Sequence, residues 1–386
     1  MQLNPLDTEL RHLTHRNGDG GIFILADDLT GACDSGAAFL ASGRTVRVVI
    51  DIASVDMSSS QHWRRDAVLA FTTETRNLTP EQAAVRVADT MGLLRNVSSD
   101  HILFKKVDSA ARGHQGAETM AALDASRAAL ALVAPAFPHA GRTVHAGILS
   151  IRDAAEQNTT VKLRDLFPSV DAAHIRILPA GAADALDQEI TRALAGGVRV
   201  LLCDSEDQAD LERLATAAYR LQQPILWTGS AGLANAMATV LPAPPQVEPV
   251  RPTHRNGRTL LFVGSDHPVT ALQVSHLEEN SAAPDHAIHH VDWDSPSHQT
   301  IRAAFAAAPV AALVLTGGDT AAFVLQALDA SSILLAGEVA PGIPWGIVEG
   351  GDADGCIVVT KSGGFGPRNA LVQTIEFCNW RVCEPA

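Results

Sequence analysis

Short apolar runs, most of them four to eight residues long, recur along the chain and alternate with segments of helical period. Up to residue 240 they read GIFILA, RTVRVVI, AVLAFTT, HILFKKV, ALALVAP, VRVLLCD and QPILWTG. Stretches such as PEQAAVRVADTMGLL and QADLERLATAAYRL, with apolar residues three and four apart, separate them. Beyond residue 258 the theme resumes with TLLFVGS, ALVLTGG, PWGIVEGG and GCIVVTKSGG. Near-continuous apolar strands alternating with helices predict parallel sheets covered on both faces. The break falls at 241–258, LPAPPQVEPVRPTHRNGR, where five prolines interrupt the Ala- and Leu-rich sequence. The expected architecture is therefore two α/β domains with largely parallel sheets, over 1–240 and 259–386, joined by a Pro-rich linker and with the ligand cleft between them. Segment 281–299 has little periodicity and reads as a connection with one short strand.

Composition narrows the partners. With 386 residues, 46% apolar and 19% charged, the chain is long enough for two cores. A formal charge of -14 gives no overall basic field, so neither nucleic acid nor an anionic membrane is an expected partner. The five cysteines lack C-x-x-C spacing and read as buried reduced thiols, which suits a cytoplasmic protein. The first twenty residues have no apolar signal region, and no run reaches the ~20 apolar residues of a membrane span.

Candidate chemistry gathers at predicted strand ends, where ligands collect in open α/β sheets. FVGSDHPVT, LTGGDTAAF and VVTKSGGFGPR each place glycines where a strand gives way to a helix or turn, and together they suggest a phosphate cradle. Ser265 and Thr320 would supply hydroxyls, Gly317, Gly318, Gly363 and Gly364 backbone N–H groups, and Lys361 a cation. Neither a Walker A loop nor G-x-G-x-x-G is present, which counts against a dinucleotide-dependent dehydrogenase. Nearer the N-terminus, ILADDLTGACDSGAAF ends a strand on Asp27 and Asp28, so that one carboxylate can face the cleft while the other caps the helix beginning near Gly31. FTTETR brings Arg76, LFKKVDSAARGHQGAE brings Lys105, Lys106, Asp108 and Arg112, and APAFPHAGRTVHAG brings Arg142, each past an apolar strand. Mixed cations and carboxylates suit a small polyol bearing a carboxylate, whose acid group a guanidinium fork can hold. The histidines lack metal-like spacing, and no metal ligands are legible.

Taken in order, IFILADDLTGACDSGAAF, TTETR, KKVDSAARGHQGAE, APAFPHAGRTVHAG, WTGSAGLANAM, LLFVGSDHPVTALQ, LVLTGGDTA and VTKSGGFG resemble the four-carbon acid sugar kinases, ATP-dependent enzymes acting on D-threonate, D-erythronate or 3-oxo-tetronates. The resemblance spans nearly the whole chain. It implies an N-terminal acid-sugar domain with Asp27, Asp28, Arg76, Lys106, Asp108, Arg112 and Arg142 at the sugar. It also implies a C-terminal nucleotide domain in which Ser265, Gly317, Gly318, Asp319, Thr320 and Gly363 or Gly364 hold ATP. The family writes D-S-T-L-R-G where this chain has DSAARG, so Ala110 removes a hydroxyl close to the expected substrate. The segment after Gly147 matches poorly, and the stretch between Ser265 and Gly317 is short for the family. Phosphoryl transfer calls for ATP with Mg²⁺, positioning and charge neutralisation. Arg112 or Arg142 is expected to clamp the carboxylate, and Asp27 or Asp28 to accept the proton of the terminal hydroxyl, giving a 4-phosphate. A non-catalytic acid-sugar or nucleotide sensor is the reading from another class. A homodimer is the default assembly.

Overall fold

The structure is a computed structural model that describes residues 21–52, 67–97, 101–152, 158–181, 183–221, 223–244, 250, 256–280 and 286–383. Most of the Pro-rich linker thus lies outside the described residues.

The chain opens with β1 (Ile22–Ala26), α1 (Leu29–Ala37), β2 (Thr45–Val49), β3 (Ala67–Thr72), α2 (Pro80–Val97), β4 (Ile102–Lys106), α3 (Gln115–Ser126) and β5 (Leu130–Ala134). There follow β6 (Arg142–His145), β7 (Ile148–Arg152), β8 (Asn158–Lys162), β9 (Ile175–Leu178), α4 (Ala183–Ala195), β10 (Val200–Cys203), α5 (Gln208–Arg220), β11 (Ile225–Gly229) and α6 (Ala231–Val240). The remainder is β12 (Arg258–Val263), α7 (Pro268–Asn280), β13 (His286–His290), α8 (His298–Ala306), β14 (Val310–Thr316), α9 (Gly318–Ala327), β15 (Ser332–Ala340), β16 (Ile343–Glu349), β17 (Ile357–Lys361) and α10 (Ala370–Cys383).

Two compact units emerge. The first comprises Met1–Leu25, Met57–Ala67 and Leu78–Pro244; the second comprises Ala26–Asp56, Val68–Asn77 and Pro245–Ala386. In the first, strands lie in the order β1-β4-β11-β5-β10-β9, every adjacent pair parallel. β1, β5 and β11 are buried at every position, which is why their sequences run apolar without alternation. An antiparallel meander, β6-β7-β8, accompanies the sheet. Helix α5 starts on a capping box, Asp207 accepting from Asp210 N and the Asp210 side chain accepting from the Asp207 backbone.

The second unit is half parallel and half antiparallel. Its order is β13-β12-β14-β17-β16-β15-β2-β3, with β13, β12, β14 and β17 mutually parallel. β16 runs antiparallel to β17, β15 to β16, and β2 to β15. Its core packs Leu261, Val314, Trp345 and Val359 from the sheet against Val274 and Leu277 of α7 and Leu371 and Ile375 of α10. The prolines suggest a single division of the chain at 241–258. By contacts, residues 26–56 and 68–77 go with the C-terminal part, because Val49, Val48 and Arg47 of β2 pair with Ser332, Ile333 and Leu334 of β15. Arg47 reinforces that edge with a two-pronged ion pair to Glu349, at 2.7 and 2.9 Å. The short strand expected within 281–299 is β13.

Candidate functional site

Where β1 ends, Asp28 takes an extended conformation and caps α1, its Oδ1 accepting from Gly31 N at 2.8 Å. Its Oδ2 accepts from Thr30 Oγ1 and from Arg76 Nη1, both at 2.8 Å. Arg76 Nε and Nη2 reach Asp27 Oδ2 at 3.0 and 2.9 Å. The ion-paired group is buried: the side chains of Asp27, Asp28 and Arg76 are 4%, 3% and 17% exposed. TTETR is delivered to the aspartates by its backbone, since Thr73 N donates to Ala26 O and Thr75 N to Asp27 O. Asp27 Oδ1 is buried with no hydrogen-bond partner among the described residues, and a buried carboxylate oxygen is stabilised by accepting a hydrogen bond.

The glycine turn lies against this pair. A Cβ on Gly318 would stand 2.3 Å from Asp28 Oδ2, so only glycine admits the carboxylate there. Asn77 Nδ2 donates to Asp319 Oδ2 at 3.0 Å, a second link between the TTETR turn and GGDT. Glu74 joins them. Its backbone is left-handed, at φ 46°, and its carboxyl accepts from Thr72 Oγ1. Burial, then the charges of Asp28, Asp319 and Asp27, push the Glu74 carboxyl up to about 8.

On the other flank of GGDT, Lys361 is buried and donates to three carbonyls of its own loop, Ser362, Gly363 and Phe365, at 3.0, 3.2 and 3.3 Å. Burial lowers it to about 8. Gln273 of α7 holds the carbonyls of Phe365, Gly366 and Pro367. Across a trans peptide, N–H and C=O point in opposite directions, and the described residues have no cis bonds. Carbonyls 362 and 363 are drawn toward Lys361, so the N–H groups of Gly363 and Gly364 lie on the opposite side of their peptides. Gly363 also admits Ser265, whose Oγ would lie 2.2 Å from a Cβ there. Gly317 N is bonded to Lys361 O, so its N–H is spent within the sheet. The N–H groups of Gly318, Asp319 and Thr320 open α9 and have no intrahelical acceptor.

Asp27, Asp28, Arg76, Ser265, Gly317, Gly318, Asp319, Thr320, Lys361, Gly363 and Gly364 thus all belong to the second unit. Lys106, Asp108, Arg112 and Arg142 belong to the first. There Lys105 is sealed in an ion pair with Glu118 at 2.7 Å and donates to the Lys106 carbonyl at 2.9 Å, while the side-chain ammonium of Lys106, a residue 5% exposed, has no hydrogen-bond or ion-pair partner among the described residues. Asp108 organises the DSAARG turn: Oδ1 accepts from Ala110 N at 2.8 Å, and Arg112 Nη2 meets Oδ2 at 2.6 Å. Arg142 donates to Ala140 O. Cys33, beside the aspartates, is pushed up to about 12 by burial and is no nucleophile at neutral pH. Among the described residues no group of three or more His, Cys, Asp or Glu is placed to hold a metal, and no helix is long and apolar enough to cross a membrane. Glu74 and Asn77 escaped the sequence reading because they sit between louder neighbours in TTETRN; the acidic letter inside a Thr-rich turn was the available signal.

An open α/β sheet with helix N-termini, glycine turns and a carboxylate–guanidinium cluster at its strand ends is the kind of architecture at which small anionic ligands collect. Residues 22–237 match a sugar-binding N-terminal domain and 298–371 a nucleotide-binding C-terminal domain. The D-threonate kinase of Bordetella bronchiseptica is 32% identical over 92% of this chain and 96% of its own length. A D-threonate kinase from Cupriavidus necator is 30% identical over 90% and 95%, and a 3-oxo-tetronate kinase from that organism 24% over 89% and 93%. Among solved structures, a Bordetella bronchiseptica protein with bound citrate, a domain-swapped dimer, is 31% identical, covers 94% of this chain and 98% of that one, and superposes with a TM-score of 0.50. A Haemophilus influenzae protein, 20% identical and covering 94% and 100%, shares the fold at a TM-score of 0.68. The chain belongs to the four-carbon acid sugar kinase family.

Proposed function

We propose that this protein is an ATP-dependent kinase that phosphorylates the terminal hydroxyl of a four-carbon acid sugar, D-threonate first among the candidates and D-erythronate or a 3-oxo-tetronate next. The observation that carries the reading is the contact of the Asp27–Asp28–Arg76 group with Gly318 at the N-terminus of α9. It sets a carboxylate with an unpartnered oxygen beside N–H groups suited to phosphate.

Within the pair the roles divide. Asp28 spends both oxygens on the helix cap, Thr30 and Arg76, and so positions the group. Asp27 keeps Oδ1 for the substrate, orienting the hydroxyl and accepting its proton as the bond to phosphorus forms. Arg76 bridges the two carboxylates. Within the first unit, Lys106, Arg112 and Arg142 are cations suited to an acid group, and the citrate bound by the Bordetella bronchiseptica protein, itself a hydroxy acid, fits such a preference. Ser265, the opening N–H groups of α9 and those of Gly363 and Gly364 hold the nucleotide phosphates. Mg²⁺ suits this donor set, because it needs only one or two carboxylates beside the phosphates, as Asp319 can provide, and no all-protein cage. When bound it neutralises charge on the transferring phosphoryl group. A cytoplasmic homodimer is the expected form.

A coupled assay of ADP release, with ATP and Mg²⁺ against the threonates, erythronates and their oxo relatives, tests the proposal. D-threonate-dependent ADP release is the expected result. Folded protein that releases no ADP with any four-carbon acid would overturn it.

A further inference from the structure

The strand order of the second unit sets its turns in a row. The carboxyl ends of β13, β12, β14 and β17 carry, in that spatial order, Trp293, Gly264 and Ser265, the GGDT turn, and the loop of Gly363 and Gly364. Trp293 lies in the segment with least periodicity, and it is an unusual tryptophan. It is 43% exposed, yet fixed: its Nε1–H donates to Gly264 O at 2.7 Å, and its ring meets Phe323 of α9 with centroids 5.6 Å apart and planes at 57°. Phe323 is braced in turn by His298 at 4.6 Å. An ideal Cβ on Gly264 would lie 2.9 Å from Trp293 Nε1 and 2.4 Å from Thr320 Oγ1, so the indole adjoins the GGDT turn on the side of Thr320. Gly318 of that turn contacts Asp28. The turn therefore has an aromatic end and a carboxylate end.

We propose that Trp293 is the stacking platform for the purine ring of the nucleotide. The nucleotide then lies along the strand ends, with its base over β13 and β12 and its terminal phosphate at Gly318, facing Asp27 and Asp28. This rests on the nucleotide reading above and gives the bound molecule a direction. An exposed aromatic ring held in place before binding loses little freedom when a base stacks on it, and stacking tolerates any purine while favouring purines over the smaller pyrimidines.

The test measures dissociation constants by calorimetry for ADP, CDP and pyrophosphate, using wild-type protein, Trp293→Ala and Trp293→Phe. Stacking on aromatic side chains leads us to expect roughly tenfold or greater weakening of ADP in Trp293→Ala. Pyrophosphate affinity should stay unchanged, Trp293→Phe should recover most of the ADP affinity, and wild-type protein should bind ADP more tightly than CDP. Unchanged ADP affinity in Trp293→Ala would overturn the inference alone, as would equal losses for ADP and pyrophosphate, which would make Trp293 a support for the Gly264 turn. Wild-type protein that binds neither ADP nor pyrophosphate would overturn the nucleotide reading and this inference with it.

Discussion

Gly318→Ala isolates the contact on which the site depends. The new methyl would lie 2.3 Å from Asp28 Oδ2, whereas carbon and oxygen normally approach no closer than about 3.2 Å, so the carboxylate must retreat by roughly 1 Å. It cannot do so freely, because Gly31 N, Thr30 Oγ1 and Arg76 Nη1 each hold it at 2.8 Å. Weakening the helix cap costs about 1 kcal/mol, and loosening one hydrogen bond to a charged group costs about 1.5–3 kcal/mol. Replacing glycine at the start of a helix returns at most about 1 kcal/mol. The net loss should be about 1.5–4 kcal/mol, read as a lowered thermal midpoint. A displacement of about 1 Å in Asp28, which positions Arg76 and through it Asp27, should lower kcat about 100-fold. The decisive comparison is Gly318→Ala in an Asp28→Ser background, where serine can still cap the helix but has no Oδ2 to strike. There the same methyl should be neutral or slightly stabilising. Equal costs in the two backgrounds, which the reasoning does not allow, would show that the methyl collides with something else.

Glu74→Gln should change how stability depends on pH. The folded carboxyl titrates near 8 against an ordinary value of 4.5, so its contribution is fully present below about pH 4.5 and is lost as pH rises toward 8. The glutamine protein should lack that decline in urea titrations across the window and be the more stable of the two at pH 8. Asp27→Asn should lower kcat about 10²- to 10⁴-fold; both it and Asp28→Asn weaken the ion pair with Arg76 and should lower the thermal midpoint, Asp28→Asn the more because Asp28 also caps α1 and accepts from Thr30. A larger loss of midpoint in Asp27→Asn would reverse the structural roles assigned to the two. Lys361→Met should leave the loop carbonyls unpaired and abolish pyrophosphate binding in calorimetry, and retained binding would remove Lys361 as the organiser of that loop.

Much of this was legible because burial on both faces writes itself as continuous apolar sequence: IFILA, LALVA and ILWTG read directly as strands. The start of α1 was legible from Asp28, a capping residue directly before a small-residue helix. β15 was not, since Gly337 and Glu338 dilute its apolar run and its partners give it meaning only in space. The placement of β2 was equally hidden, because pairing Val49 with Ser332 leaves no local trace. Lys361 reads in sequence as a cation for phosphate. Its ammonium instead bonds three loop carbonyls, which depends on where the chain turns after it. Trp293 sits in a segment without period, and its meaning comes entirely from the strand beside it.

The antiparallel pairing of β2 with β15 bears on how this molecule can be taken apart. A fragment beginning at the Pro-rich stretch would look like an independent nucleotide-binding module, yet it would lack Arg47, whose ion pair closes over Glu349, and would bare the β15 edge from Ser332 to Leu334 to any passing strand. It would also leave Gly318 facing empty space where Asp28 belongs. Such a piece should aggregate when expressed alone and recover when residues 26–77 are supplied in trans. Evolution cannot then exchange the C-terminal half between proteins as a cassette, because residues 26–52 and 68–77 belong to the same compact unit.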